Sequence, residues 1–209
     1  DALLPVHQAT GGVDGFVSLE VSPLLARDTV GSIAEGAHLA KLVGRPNLMI
    51  KIPGTAEGVP AAEELLFRGI NVNVTLLFSI ESYQAVAEGW FRALERRQAA
   101  GQPLNNVASV ASFFVSRIDS AVDKELAALG TPEAAALKGR IAIANARAAY
   151  RQWEEIFHSE YFDWARDRDI GFSHLVSAGA MADVDFGDLL DHLAQDPGTS
   201  AILLYMEAV

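Results

Sequence analysis

Between residues 16 and 157 a strand pattern and a helix pattern alternate four times, with no hairpin turn joining one strand to the next. Strands without hairpins run parallel and need helical crossovers, so the alternation implies an α/β fold with a mainly parallel sheet. The predicted strands are residues 16–21, 48–52, 70–78 and 107–115. The predicted helices are residues 24–43, 57–68, 81–100, 119–129 and 131–157. Their ends are chemically marked. Gly44 and Pro46 stop the first helix, Gly69 caps the second and Ser79 opens the third. Gly101 and Pro103 break the third, and Thr131 with Pro132 starts the last. Residues 1–14 read as a partial helix and a glycine turn, as if interior to a larger fold.

The alternation continues beyond residue 157. Residues 162–169 and 186–194 read as helices, and residues 170–177 and 201–206 as strands. Six strands do not close an eight-stranded barrel in the usual way, because strand number, tilt and shear are linked. The expected architecture is a sheet derived from part of a (β/α)8 barrel, with an open, doubly wound arrangement preferred. Exposed edges of such a sheet offer a route to homo-oligomers.

Half of the residues are hydrophobic, enough for a substantial core. A net charge of −11 argues against nucleic-acid binding but leaves room for local binding of anionic metabolites. There is no cysteine, which removes disulfides, zinc–thiolate sites, iron–sulfur clusters and thiol nucleophiles. No signal-peptide pattern opens the sequence and no apolar run is long enough to span a bilayer. A soluble cytoplasmic protein with no membrane partner is the expectation.

Lys51 is the candidate nucleophile. Of the four lysines it alone is flanked on both sides by apolar strand residues, in Leu48-Met49-Ile50-Lys51-Ile52-Pro53-Gly54. Desolvation there favours the neutral amine. A neutral amine at the mouth of a pocket attacks carbonyls to form a Schiff base. A lysine snorkelling from a strand end to solvent is the plainer reading of the same residue. Period-two alternation places further polar groups on shared faces: Ser18 with Glu20, Asn71 with Asn73 and Thr75, and Ser112 with Phe114. Val17, Leu19 and Val21 are left for the opposite face of the first strand. Arg117 falls just past the fourth strand. Parallel α/β folds bind ligands at the carboxyl ends of their strands, so Glu20, Lys51, Asn73, Thr75 and Ser112 are expected to converge there.

Four segments then stand in order at family-like spacing. They are Val17-Ser18-Leu19-Glu20-Val21-Ser22-Pro23, Ile50-Lys51-Ile52-Pro53-Gly54-Thr55, Asn71 to Ser79, and Ser109 to Arg117. Together they resemble the transaldolase family over roughly residues 1–157, most closely its actinobacterial type. The resemblance implies a (β/α)8-barrel transferase of carbohydrate metabolism, in the pentose phosphate pathway. Such an enzyme moves a dihydroxyacetone unit between sugar phosphates. It implies Lys51 as the Schiff-base lysine, Glu20 as acid and base through a bound water, and Thr75 as the residue holding that water. Asn73 matches a residue binding the dihydroxyacetone part, Ser112 a substrate-contacting serine, and Arg117 an arginine that binds the sugar phosphate. No organic cofactor and no metal is implied, because the iminium is itself the electron sink. The matched segments would be the third to sixth strands of the family's barrel. The family's catalytic aspartate, on an earlier strand, has no match here; Asp14 and Asp28 do not stand at that motif.

Residues 159–209 resemble another family. Ile170 to Gly179, Ala182 to Leu190 and Ile202 to Glu207 look like the flavodoxin-like subdomain of NDP-forming acyl-CoA synthetases. Ala180 stands where that family usually has Asn, and neither His174 nor His192 matches its phospho-histidine. Asp183, Asp185 and Asp188 read as the acidic start of a helix rather than as metal ligands. The alternative to a transferase is therefore a non-catalytic chimeric scaffold, with residues 1–157 from one family and 158–209 from the other.

Overall fold

The computed structural model describes residues 1–157, in which all four expected strands form one sheet. A short helix α1 (Leu4–Ala9) leads into β1 (Val17–Glu20), then α2 (Thr29–Val43), β2 (Leu48–Pro53) and α3 (Gly58–Phe67). There follow β3 (Val72–Leu77), α4 (Ile80–Ala99), β4 (Ser109–Phe113), α5 (Ser116–Leu129), α6 (Pro132–Ala135) and α7 (Ile141–Phe157). Every neighbouring pair of strands is parallel, and the spatial order is β1-β2-β3-β4. A doubly wound sheet reverses its strand order at a switch point, whereas a barrel adds each strand on the same side. The described residues are an α/β unit with one direction of strand addition, consistent with part of a barrel.

The core lies between the sheet and its helices. Leu48, Ile50 and Ile52 of β2, Val72, Val74 and Leu77 of β3, and Phe113 of β4 form one apolar cluster with α3, α4 and α7. Cluster membership alternates along β2 and the start of β3: Leu48, Ile50, Ile52, Val72 and Val74 belong to it, while Met49, Lys51 and Asn73 between them face the other side. The helices approach closely where small residues allow it. A side chain on Gly58, the first residue of α3, would run into the Pro53 carbonyl. On α2, a Cβ at Gly36 would lie 2.8 Å from Leu65 Cδ1 and 3.2 Å from Ile50 Cγ2.

Several boundaries differ from the sequence expectation, each for a local reason. The first long helix does not begin at residue 24. Residues Pro23–Leu25 make a 3-10 turn, and Asp28 caps the true start of α2 by accepting from Gly31 N at 2.9 Å. Helix α5 begins at Ser116 rather than residue 119, so Arg117 lies in its first turn. The helix expected over 131–157 is two helices. Gly139 takes a left-handed φ of +69°, and its N–H donates to both carboxylate oxygens of Asp123 at 3.0 and 3.2 Å. A left-handed residue cannot continue a right-handed helix. Val17 and Leu19 are 43% and 37% exposed, not core, because β1 is an edge strand of the described sheet. The strands and helices expected beyond residue 157 lie outside the described residues.

Charge pairs hold α3 to α4. Arg96 donates to Glu63 at 3.0 Å and Glu64 at 2.6 Å, and Arg92 donates to Glu63 at 2.8 Å. The Arg96 hydrogen bond, with further help from Arg68, holds the Glu64 carboxyl below the usual glutamate range. A carboxyl whose folded pKa is depressed stabilises the fold above its unfolded pKa, and the contribution is lost as pH falls through the folded value. Glu64→Gln is therefore expected to cost less than about 1 kcal/mol near neutral pH, since both partners are partly exposed. The gap between variant and parent should close as pH drops through the acid range. Urea unfolding at a series of pH values measures it, and a gap that widens on acidification would contradict the pairing.

Candidate active site

The face of the sheet turned away from the helices carries the polar residues. Register sets their neighbours: Glu20 pairs with Lys51, Lys51 with Asn73, and Asn73 with Val110. Parallel strands in register carry equivalent side chains to the same face. Glu20, Lys51 and Asn73 therefore form a row across three strands. Lys51 Nζ lies 3.8 Å from Glu20 Oε2, with the lysine side chain 12% exposed and the glutamate 47% exposed. The amine is thus largely withdrawn from water, while its carboxylate partner remains open to it.

Asn73 is the centre of the row. It is 5% exposed, and its Nδ2 donates to Ser18 Oγ at 3.0 Å while its Oδ1 accepts from Ser112 Oγ at 2.8 Å. Two residues on, Thr75 is fully buried, and its Oγ1 has no hydrogen-bond partner among the described residues. Buried hydroxyls are nearly always paired with protein or water. The backbone is irregular at this point. Leu76 adopts φ +62°, and the β3–β4 register shifts between Val74 and Leu77. A left-handed leucine costs on the order of 1–3 kcal/mol and persists only where its surroundings impose it. Bulges of this type re-aim side chains near strand ends.

Arg117 is the one expected site residue that lies outside the four strands. It is exposed, and its guanidinium lies 4.8 Å from the centre of the Phe114 ring, which packs in turn against Phe78 at 5.4 Å. Its place in the first turn of α5, just beyond the carboxyl end of β4, is on the side where parallel sheets bind ligands. The structure thus brings Lys51 to Glu20 and Asn73 to Ser112. It sets Thr75 beside Pro53 in the β2–β3 register and leaves Arg117 beyond the strand end.

Two residues gain roles that sequence reasoning did not assign. Ser18 shares the Glu20 face by alternation, but nothing local pairs it with a residue 55 positions away. Asn71 donates to the carbonyls of Pro46 and Leu48 at 3.0 and 3.2 Å and accepts from Ala108 N at 2.9 Å. It thereby ties the starts of β2, β3 and β4. Its place before Asn73 and Thr75 marked it as polar, not as a clamp. Among the described residues no cluster of three or more His, Cys, Asp or Glu could hold a metal, and no helix is long and apolar enough to cross a membrane. The aspartates at 183, 185 and 188 lie outside the described residues.

A family model described as Transaldolase/Fructose-6-phosphate aldolase matches residues 2–183. Transaldolase 1 of Streptomyces avermitilis is 58% identical over 160 residues, covering 77% of this chain and 42% of that protein. The transaldolase of Thermobifida fusca is 57% identical over 159 residues, or 76% of this chain and 43% of its own length. That of Thiobacillus denitrificans is 47% identical over 191 residues, 91% of this chain and 53% of its own. The chain thus spans about half the length of the curated relatives it matches. The family match runs through residue 183, so it lends no support to a chimeric scaffold with its boundary at residue 157.

Proposed function

This chain belongs to the transaldolase/fructose-6-phosphate aldolase family, and from that premise we propose that it performs Schiff-base aldol chemistry, moving a dihydroxyacetone unit between sugar phosphates. The observation that carries the reading is the placement of Lys51, withdrawn from solvent, 3.8 Å from Glu20 and in register with Asn73. The amine adds to a ketose carbonyl, and loss of water leaves an iminium. A base then takes the proton of the C4 hydroxyl. The C3–C4 bond breaks, and its electron pair moves into the iminium to form an enamine. The aldose phosphate so released is replaced by another, to which the enamine adds by the reverse step. Hydrolysis returns the free lysine.

Glu20, through a water, moves the protons, and Thr75 seats that water. The support for Thr75 is its buried hydroxyl, which has no protein partner among the described residues. Asn73 and Ser112 hold substrate hydroxyls, and Arg117 receives the phosphate. The iminium formed on Lys51 is the electron sink, so the scheme needs no cofactor. A cytoplasmic setting and self-association through the β1 and β4 edges complete the proposal. A sedimenting monomer would remove the second of these. The likeness of residues 159–209 to an acyl-CoA synthetase subdomain is a further proposal that rests on its motifs alone.

The test is intact mass after incubation with fructose 6-phosphate and borohydride. A reduced adduct mapping to Lys51 is expected. A protein shown folded by circular dichroism that takes up no adduct overturns the reading.

A further inference from the structure

We infer that Ser18 is a positioning residue for this chemistry, acting through Asn73; the inference rests on the proposed reaction. A carboxamide is planar, with a donor at one end and an acceptor at the other. Its rotation about the Cβ–Cγ bond is broad unless both ends are held. In Asn73 they are held by serines from two different strands. Ser18 Oγ accepts from Nδ2 at 3.0 Å, and Ser112 Oγ donates to Oδ1 at 2.8 Å.

The Ser18 bond is unusual in its path. β1 and β3 are not neighbours; β2 lies between them, with Met49 opposite Ser18 and Lys51 opposite Asn73. The contact therefore passes over β2, one residue short of Lys51. Asn73 is only 5% exposed, so losing the partner of Nδ2 leaves a buried donor that water does not readily replace. Ser112 would then be the one remaining hold on the amide.

Proton counting extends the argument. A serine hydroxyl has one proton, and Ser112 gives its proton to Asn73. Ser112 therefore meets a substrate hydroxyl as an acceptor, while Asn73 keeps a second N–H to donate. Removing Ser18 loosens this arrangement without touching the substrate, the lysine or the glutamate. Small misplacements of orienting groups carry large rate costs when the reacting geometry must be held.

The experiment uses the full chain with two readouts. The first is the Asn73 side-chain NH2 signal in nitrogen-15 NMR. The second is the rate of borohydride-trapped adduct formation at saturating fructose 6-phosphate. Ser18→Ala should shift or broaden the Asn73 signal and slow trapping roughly tenfold. Ser18→Thr should restore both. Ser18→Val, matching threonine in shape but lacking the hydroxyl, should behave like alanine and separates the hydrogen bond from packing. An Asn73 signal unmoved in Ser18→Ala and Ser18→Val overturns the inference. So does a moved signal with unchanged trapping, or a rate loss that threonine does not restore. If the parent protein forms no adduct, the proposed reaction fails and this role in it fails too. The NMR signal still reports whether Ser18 holds Asn73, so the two failures are told apart.

Discussion

Lys51→Ala should form no detectable adduct with fructose 6-phosphate and borohydride, a loss of roughly 1,000-fold or more in trapping rate. The reason is positional. The other lysines, Lys41, Lys124 and Lys138, are all exposed. An exposed lysine lacks the desolvated pocket in which an amine becomes a nucleophile. Only Lys51 combines burial with a neighbouring carboxylate, Glu20 at 3.8 Å. Lys51→Arg sharpens the test. Arginine keeps a positive charge beside Glu20 but is effectively never deprotonated, so it supplies the charge without the nucleophile. It too should be inert. An adduct persisting in either variant would place the chemistry on another amine and sink the assignment. Circular dichroism on both variants separates this from loss of the fold.

Arg97→Ala should give a large loss of stability, about 2–4 kcal/mol, as expected on breaking a buried hydrogen-bond network made by a charged donor. Arg97 is 2% exposed, on the buried face of α4 with Trp90 and Leu94. Its guanidinium donates to the carbonyls of Phe67 at 2.8 Å and Leu66 at 3.3 Å, at the end of α3. It donates to the Pro103 carbonyl at 2.6 and 3.1 Å and to Asn106 Oδ1 at 2.8 Å. The last carbonyls of a helix have no intrahelical partner, and the helix dipole there favours a cation. One side chain thus closes α3 and pins the loop that leads into β4. Burial pushes its pKa below the ordinary arginine range. Arginine stays charged in proteins even so, and the truncation takes a donor from the partly buried acceptors of Phe67, Pro103 and Asn106. Arg97→Lys should recover only part of the loss, because an ammonium cannot reproduce the fork of donors. Urea unfolding measures both variants. A cost under about 1 kcal/mol for Arg97→Ala would show that water replaces these bonds.

Much of the candidate site is legible along the chain because strand alternation is local. Asn71-Val72-Asn73-Val74-Thr75 declares its polar face within five residues, and the structure keeps that face apart from the core. The helix starts at Ser79 and Thr131 are legible for the same reason: each cap accepts from an N–H three residues on. The misses are the long-range ones. Val17 and Leu19 follow the pattern of a buried face, yet the edge position of β1 leaves them exposed. Leu76 has no feature of a left-handed residue; the β3–β4 register imposes it. Arg97 falls on the buried stripe of α4 with Trp90 and Leu94, but its partners are carbonyls some 30 residues away that no local pattern supplies.

Strand and helix order, the polar face of each strand and the singular setting of Lys51 follow from short-range chemistry: periodicity, capping and the residues on either side. Contact belongs to another level. That Glu20 meets Lys51, that Asn73 reaches across β2 to Ser18, and that the Thr75 hydroxyl is buried with no partner among the described residues depend on parallel register between strands tens of residues apart. Register is set by how the apolar faces of β2 to β4 pack against their helices, and a one-residue slip would send every polar side chain to the opposite face.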